Sequence, residues 1–284
     1  MKKYKFEWIV FIVTVIELSA IAGFIAYQKY KFSHPKIEVY AVYHKDFPIN
    51  RNEVVIPIHA GRALKHDYGM PLLNKMIGDN TGDNISLKND RYAELTATYW
   101  VWKNSKADYV GIIHYRRSFI IQPDGLHSFE KHQHCFSYLC EVGMTAVNLH
   151  QLMQKYDVIM PATAYLPMTF LEYYNRSHIP NDLQVAVQYI REKYPEMNDT
   201  VNYVLYGHQF NSRNMFIMRK DLLDKYAAWL FDVLFHIDSK LSRETDYQSR
   251  APGFLAERLW TIWIRHQMRT TNIKVGEMFI DTQK

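Results

Sequence analysis

The stretch Asp90–Arg117 reads DRYAELTATYWVWKNSKADYVGIIHYRR. Its first half sets Tyr92, Leu95, Tyr99 and Trp102 at i, i+3, i+7 and i+10, one face of a helix from about Asp90 to Lys103 with Asn89 as N-cap. Its second half, Tyr109–Tyr115 (YVGIIHY), is an apolar β run that ends directly in Arg116 and Arg117. A helix feeding a buried strand is the repeating unit of an α/β fold with a largely parallel sheet.

The rest of the chain repeats the alternation. Strands are expected at Ile37–His44, Val54–Ile58, Asp157–Met160 and Asn214–Met218, and helices at Asn181–Lys193, Asp221–Ile237 and from Pro252 to about Gln267. Tyr99, Trp100 and Trp102 sit at helical spacing and read mainly as core. Residues 269–284 read as a C-terminal tail. With 48% hydrophobic and 22% charged residues in 284, the chain has ample material for a packed core, which excludes general disorder.

The N-terminus is different. Residues 1–7 are a short basic tail, and Trp8–Tyr27 (WIVFIVTVIELSAIAGFIAY) carries no Lys or Arg over twenty residues. As a helix it would span about 30 Å, the hydrocarbon thickness of a bilayer. We read residues 8–27 as a single-pass membrane anchor, with a cleaved signal ending near Ala20-Ile21-Ala22 or a buried or interfacial helix as the alternatives and Glu17 as a costly intrusion. Residues 28–36 form a linker. Of the net +5, residues 1–36 hold +4, so the remaining chain is within one charge of neutral. That balance excludes the clustered basic stripe that nucleic-acid backbones require. Three lysines on either side of the apolar run leave its orientation open.

Ligands in open α/β sheets bind at the carboxyl ends of strands. Polar strand ends occur at His44-Lys45-Asp46, at His114-Tyr115-Arg116-Arg117 and at Arg219-Lys220. Two guanidiniums at such an end suit a diphosphate, and they equally suit carboxylates on a neighbouring helix. The loop Asp79–Ser86 gathers carboxylates, amides and hydroxyls, which could hold a sugar or simply cap its own turns. His127, His132, His134, Cys135, Cys140 and His150 are dense but lack zinc-ligand spacing. P-loop, dinucleotide, hydrolase-elbow and zincin motifs are absent.

The run Thr81–Phe119 (TGDNISLKNDRYAELTATYWVWKNSKADYVGIIHYRRSF) closely resembles the domain of unknown function 4422 family. So do the Pro57–Gly61, Tyr156–Pro161, Asn214–Met218 and Gly253–Leu259 segments. The family occurs in bacterial capsule, exopolysaccharide and lipopolysaccharide gene clusters and is classed with glycosyltransferases. The resemblance covers about residues 37–267 and implies a GT-A-like domain, bounded here as 37–268. It also implies a nucleotide-sugar donor, a UDP-sugar first, and a glycan or lipid-linked oligosaccharide acceptor at a membrane, with galactofuranose or another hexose transferred by inversion. A non-catalytic glycan-binding or scaffold domain is the alternative.

The sequence calls firmly for no cofactor and leaves a divalent metal open, although the usual Asp-x-Asp occurs nowhere. We therefore expect fixed charge from Arg116 and Arg117, with Lys88, to serve the leaving diphosphate. His44, Lys45, Thr81, Asp83, Asn84, Asn89 and His114 complete the expected donor side. Glu257 is the first choice for base, with Asp83 and Glu94 as the other carboxylates. His178, Asn214 and Arg258 fall to the acceptor side. A membrane location follows from the anchor, with the catalytic domain expected in the cytoplasm.

Overall fold

A computed structural model describes residues 14, 15, 17–19, 21, 35–64, 73–121, 137–242 and 247–283. Residues 1–36 and 37–284 are separate compact units. In the first, the described residues 14, 15, 17–19 and 21 are helical, and most of the expected 8–27 anchor lies outside the described set. Among the described residues no helix is long and apolar enough to cross a membrane. His127, His132, His134 and Cys135 also lie outside that set.

The second unit is built on a sheet ordered β10-β6-β9-β4-β1-β2-β3. Its central strands are β1 (Ile37–Tyr43), β2 (Val55–His59), β3 (Ile77–Gly78) and β4 (Tyr109–His114), all mutually parallel. On the other side of β4, β9 (Phe216–Arg219) runs antiparallel to both β4 and β6 (Val158–Pro161). Beyond the Tyr115-Arg116 turn, β4 folds back into β5 (Arg117–Phe119). The outermost strands come from the C-terminus: β10 (Val275–Met278) pairs with β6, and β11 (Ile280–Thr282) pairs with β5. Residues 269–284 are thus not a tail. Their strands borrow a register from distant partners, which local periodicity does not show.

Period-two alternation divides each central strand between two cores. Tyr40, Val42, Val110, Ile112, Phe216 and Met218 face one cluster, while Val39, Ala41, Ile113 and Ile217 face the other. The first face is covered by α2 (Leu95–Asn104), α6 (Pro180–Lys193), α7 (Asn198–Leu205), α8 (Lys220–Ile237) and α9 (Ala251–Thr270), preceded by α1 (Asn89–Tyr92). The second lies under α3 (Tyr138–Glu141), α4 (Ala146–Lys155) and the loops beside them, and α5 (Phe170–Ser177) completes the helices. A small sheet pairs β7 (Ala164–Tyr165) with β8 (Gln209–Phe210).

One expected helix is broken. The Asp90–Lys103 element is two pieces, α1 and α2, interrupted at Ala93, whose φ and ψ are 47° and −129°. Asn89 does not cap the helix. Its Nδ2 donates to the Ala93 carbonyl at 2.7 Å and to Thr96 Oγ1 at 2.9 Å, holding the break open.

At the end of β2, His59 is 2% exposed, and its Nδ1 accepts from Arg62 Nε at 3.1 Å. Burial first, then the Arg62 charge, pushes its pKa down to about 4. The folded state therefore holds His59 neutral where the unfolded chain would bind a proton. Stability is full above about pH 6.5 and falls as pH drops toward 4, by about 1–3 kcal/mol for this residue. Thermal midpoints measured between pH 7 and 4 test this, and His59→Gln should flatten the slope.

Candidate active site

The carboxyl ends of β1, β2 and β4 open into a cleft of about 670 Å³ lined by Val42, His44, Ala60 and His114. Lys45, Asn89, Asp90, Ala93 and Glu94 close one side, and Tyr247, Ser249 and Arg250 the other. The position follows the rule for parallel sheets. The polar strand ends that marked it in the sequence, His44-Lys45 and His114, are among its walls.

Glu94 is the carboxylate around which the backbone is most distorted. Among the described residues the non-glycine positions with positive φ are Ala93, Arg213 and Asn214. Ala93 immediately precedes Glu94, and Asn214 Nδ2 donates to Glu94 Oε1 at 2.8 Å. Arg213 links the neighbours: its N–H donates to Glu257 Oε1 at 2.8 Å, and its carbonyl accepts from His114 Nε2 at 2.7 Å. A carbonyl cannot donate, so that contact fixes the proton of His114 on Nε2. Strain of this kind costs about 1–3 kcal/mol per residue and gathers at functional sites. Ala93→Gly should relieve its share, raising the denaturant midpoint by the equivalent of about 1 kcal/mol after the flexibility cost of glycine.

Glu257 sits behind this group on α9. Its Oε2 accepts from Arg258 Nη1 at 3.0 Å, and its side chain is 25% exposed. Burial raises its pKa, aided by the charge of Glu94 and opposed by Arg258. Arg258 in turn lies over the rings of Phe210 and Tyr174 at 4.9 and 5.3 Å. His178 stacks on Phe254 at 4.2 Å, and its pKa is pushed down to about 4 by burial and by Arg258. His178, Asn214, Glu257 and Arg258 therefore form a layer behind the cleft rather than its wall.

The cations lie elsewhere than the sequence suggested. Lys45 and Arg250 line the cleft. Arg116 and Arg117 do not. Arg116 rests 5.7 Å from the Tyr115 ring, where Lys45 also sits at 5.9 Å, and Arg117 is held in β5 opposite Thr282. Neither arginine has a carboxylate partner among the described residues. His44, edge-on to Tyr115 at 5.1 Å, is exposed at the mouth yet held neutral. Its pKa is pushed down to about 4 by surrounding protein first, then by Lys45 and Arg250.

The acidic loop is a scaffold. Asp79 is fully buried and accepts from the Gly61 and Arg62 N–H groups and from the Ser86 hydroxyl. Trp100 Nε1 donates to the Thr81 carbonyl at 2.8 Å, while Asp83 accepts from Tyr99 OH at 3.1 Å and from Asn104 at its carbonyl. Asn84 caps its own turn through the Ser86 N–H. Lys88 is turned to Asp238, 3.7 Å away, and lies over the Tyr92 and Phe235 rings. Thr81, Asp83, Asn84 and Lys88 accordingly do not wall the cleft. Gly61 shows why the scaffold matters: at φ 74°, an added Cβ would strike Asn89 at 2.6 Å, the residue that holds Ala93.

Sequence reasoning missed Asp90, Tyr247, Ser249 and Arg250. Arg250 precedes α9 as its N-cap without a side-chain capping bond, and Pro252 inside the first turn is the one local sign of that helix start. Among the described residues no cluster of three or more His, Cys, Asp or Glu could hold a metal ion.

This geometry has a counterpart of known structure, described as the apo form of the bifunctional glycosyltransferase WbbM. The match has a TM-score of 0.78 and 29% identity and covers 88% of this chain. It spans 45% of the WbbM chain, so the present sequence corresponds to about half of that protein. No protein of curated function matches the sequence. Residues 38–268 match the domain of unknown function DUF4422 across most of the sheet and the whole cleft, and the chain belongs to that family.

Proposed function

We propose that the domain is a glycosyltransferase that moves a hexose from a nucleotide-diphosphate donor to a hydroxyl of a cell-surface glycan. The observation that carries this is the cleft itself, where a carboxylate held in a distorted backbone meets the cations Lys45 and Arg250 at the carboxyl ends of a parallel sheet. The structural likeness to WbbM supports the reaction class.

Glu94 is the base in this reading. Both oxygens of Glu257 already accept from protein donors, whereas Glu94 spends Oε1 on Asn214 and faces the cleft. The acceptor hydroxyl gives its proton to Glu94 and its oxygen bonds to the anomeric carbon. The bond from that carbon to the diphosphate breaks, and the electron pair leaves on phosphate oxygen against Lys45 and Arg250. A single displacement of this kind inverts the anomeric centre. The cleft carboxylates Asp90 and Glu94 stand among Lys45 and Arg250, and in this reading those cations carry the leaving charge.

The apolar 8–27 stretch serves as the membrane anchor that brings this cytoplasmic domain to lipid-linked acceptors. Carbonate extraction of membranes from expressing cells tests that part. The main test incubates the chain with a panel of nucleotide sugars, UDP-galactofuranose included, and scores nucleoside diphosphate release with and without chelator. Release that survives chelator is expected. Loss in chelator with rescue by manganese would overturn the fixed-cation mechanism, and glycan binding without release would favour the scaffold reading.

A further inference from the structure

We propose a second carbohydrate site on this domain, a pocket of about 230 Å³ that holds one sugar ring of the acceptor chain. The assignment rests on the transferase reading above. The pocket lies between the end of α7, strand β8 and the far half of α9, and is lined by Tyr203, Val204, Gly207, His208, Gln209 and Arg265.

Its chemistry is that of sugar recognition. Gly207 lines it, at a position where an added Cβ would strike the Tyr203 carbonyl oxygen at 2.7 Å. Arg265 is locked in place by Nη2, which donates to Thr163 Oγ1 at 2.8 Å and Asn211 Oδ1 at 3.1 Å. Its Nε is buried with no protein partner among the described residues, and so is Oε1 of Gln209. A buried donor and a buried acceptor on residues of one pocket are groups that ligand hydroxyls satisfy. His208 has its Nδ1 at the Leu166 carbonyl, 3.2 Å away, which leaves Nε2 as a further acceptor.

Tyr203 is the aromatic residue of the lining, and two more tyrosines neighbour lining residues, Tyr206 beside Gly207 in sequence and Tyr165 against Gln209. Tyr203 is 47% exposed, Tyr206 64% and Tyr165 76%. Tyr203 and Tyr206 are one helical turn apart, and the Tyr165 hydroxyl accepts from Gln209 Nε2 at 3.3 Å. Arg269 lies over the Tyr203 ring at 4.8 Å. Such rings pack the apolar face of a sugar while the polar groups take its edge.

Its placement assigns the chain it would hold. Arg265 follows Glu257 by eight residues on α9, about 12 Å along the helix. The segment 209–214 joins the sites directly, with Gln209 in the pocket and Arg213 and Asn214 on Glu257 and Glu94. In this assignment a glycan with its terminal hydroxyl at Glu94 extends over the surface to the pocket and places there a residue a few units back.

The test uses the full chain in detergent and linear oligosaccharides of galactose, glucose or mannose, one to six units long, titrated without donor. Binding of the longer chains should be about tenfold tighter than of the monosaccharide, the worth of one stacked ring with its hydrogen bonds. Tyr203→Ala and Tyr165→Ala, both at exposed positions, should each erase most of that gain and leave diphosphate release with a monosaccharide acceptor unchanged. Length-independent binding, or variants that keep the gain, would overturn the site. Length-dependent binding lost in the variants, with no diphosphate release from any donor, would uphold the site and reject only the transferase reading.

Discussion

Glu94→Gln lowers kcat by about 10³-fold, within the range that a positioned general base contributes, and leaves donor KM within about threefold. The amide is isosteric and its oxygen still accepts from Asn214, so the local structure and the melting temperature are retained while the proton acceptor is lost. Glu257→Gln has the opposite profile. Its amide nitrogen meets either the Arg213 N–H or the Arg258 guanidinium, donor against donor, and the buried Arg258 loses its ion pair. Breaking such a pair costs about 3–5 kcal/mol, so this variant loses stability far more than turnover per folded molecule. Steady-state kinetics corrected for active fraction separate the two carboxylates. Equal turnover loss in Glu257→Gln, with Glu94→Gln near wild type, would restore Glu257 to the role first expected of it.

The second large effect concerns the leaving group. Lys45→Met with Arg250→Met lowers kcat/KM for the nucleotide sugar by about 10²–10³-fold, the scale for removing preorganised charge from a developing anion. Arg116→Met, at a side chain outside the cleft lining, changes it by less than about threefold, because a cation away from the leaving group is screened. Donor-concentration series at two ionic strengths check both statements. A strong Arg116 effect beside a silent Lys45 and Arg250 pair would return the diphosphate to the turn after β4.

Much of the frame was readable in the sequence, and the reasons differ by residue. His44, Lys45 and His114 are visible because a buried strand that ends in polar side chains has few other uses for them. Glu94 was visible only as a residue on a helix. Nothing about Ala93 announces a left-handed backbone, since the break is imposed by the Asn89 amide and by packing against the first turn of α9. The Asp79–Ser86 loop misled because a ligand cradle and a self-capped turn use the same side chains. Only the tertiary partners, Gly61 and Arg62 for Asp79 and Trp100 for Thr81, distinguish the two. Arg250 had no motif at all, and it reaches the cleft because α9 starts there.

The two C-terminal strands also set a timetable for biosynthesis. β10 and β11 close the open flanks of β6 and β5, and both are made after every other element of the sheet. Until residue 282 has left the ribosome, β6 and β5 present unpaired hydrogen-bonding edges to other chains. A nascent chain stalled before Val275 is thus the species most in need of a chaperone, and a truncation there is more exposed to aggregation than its small size suggests.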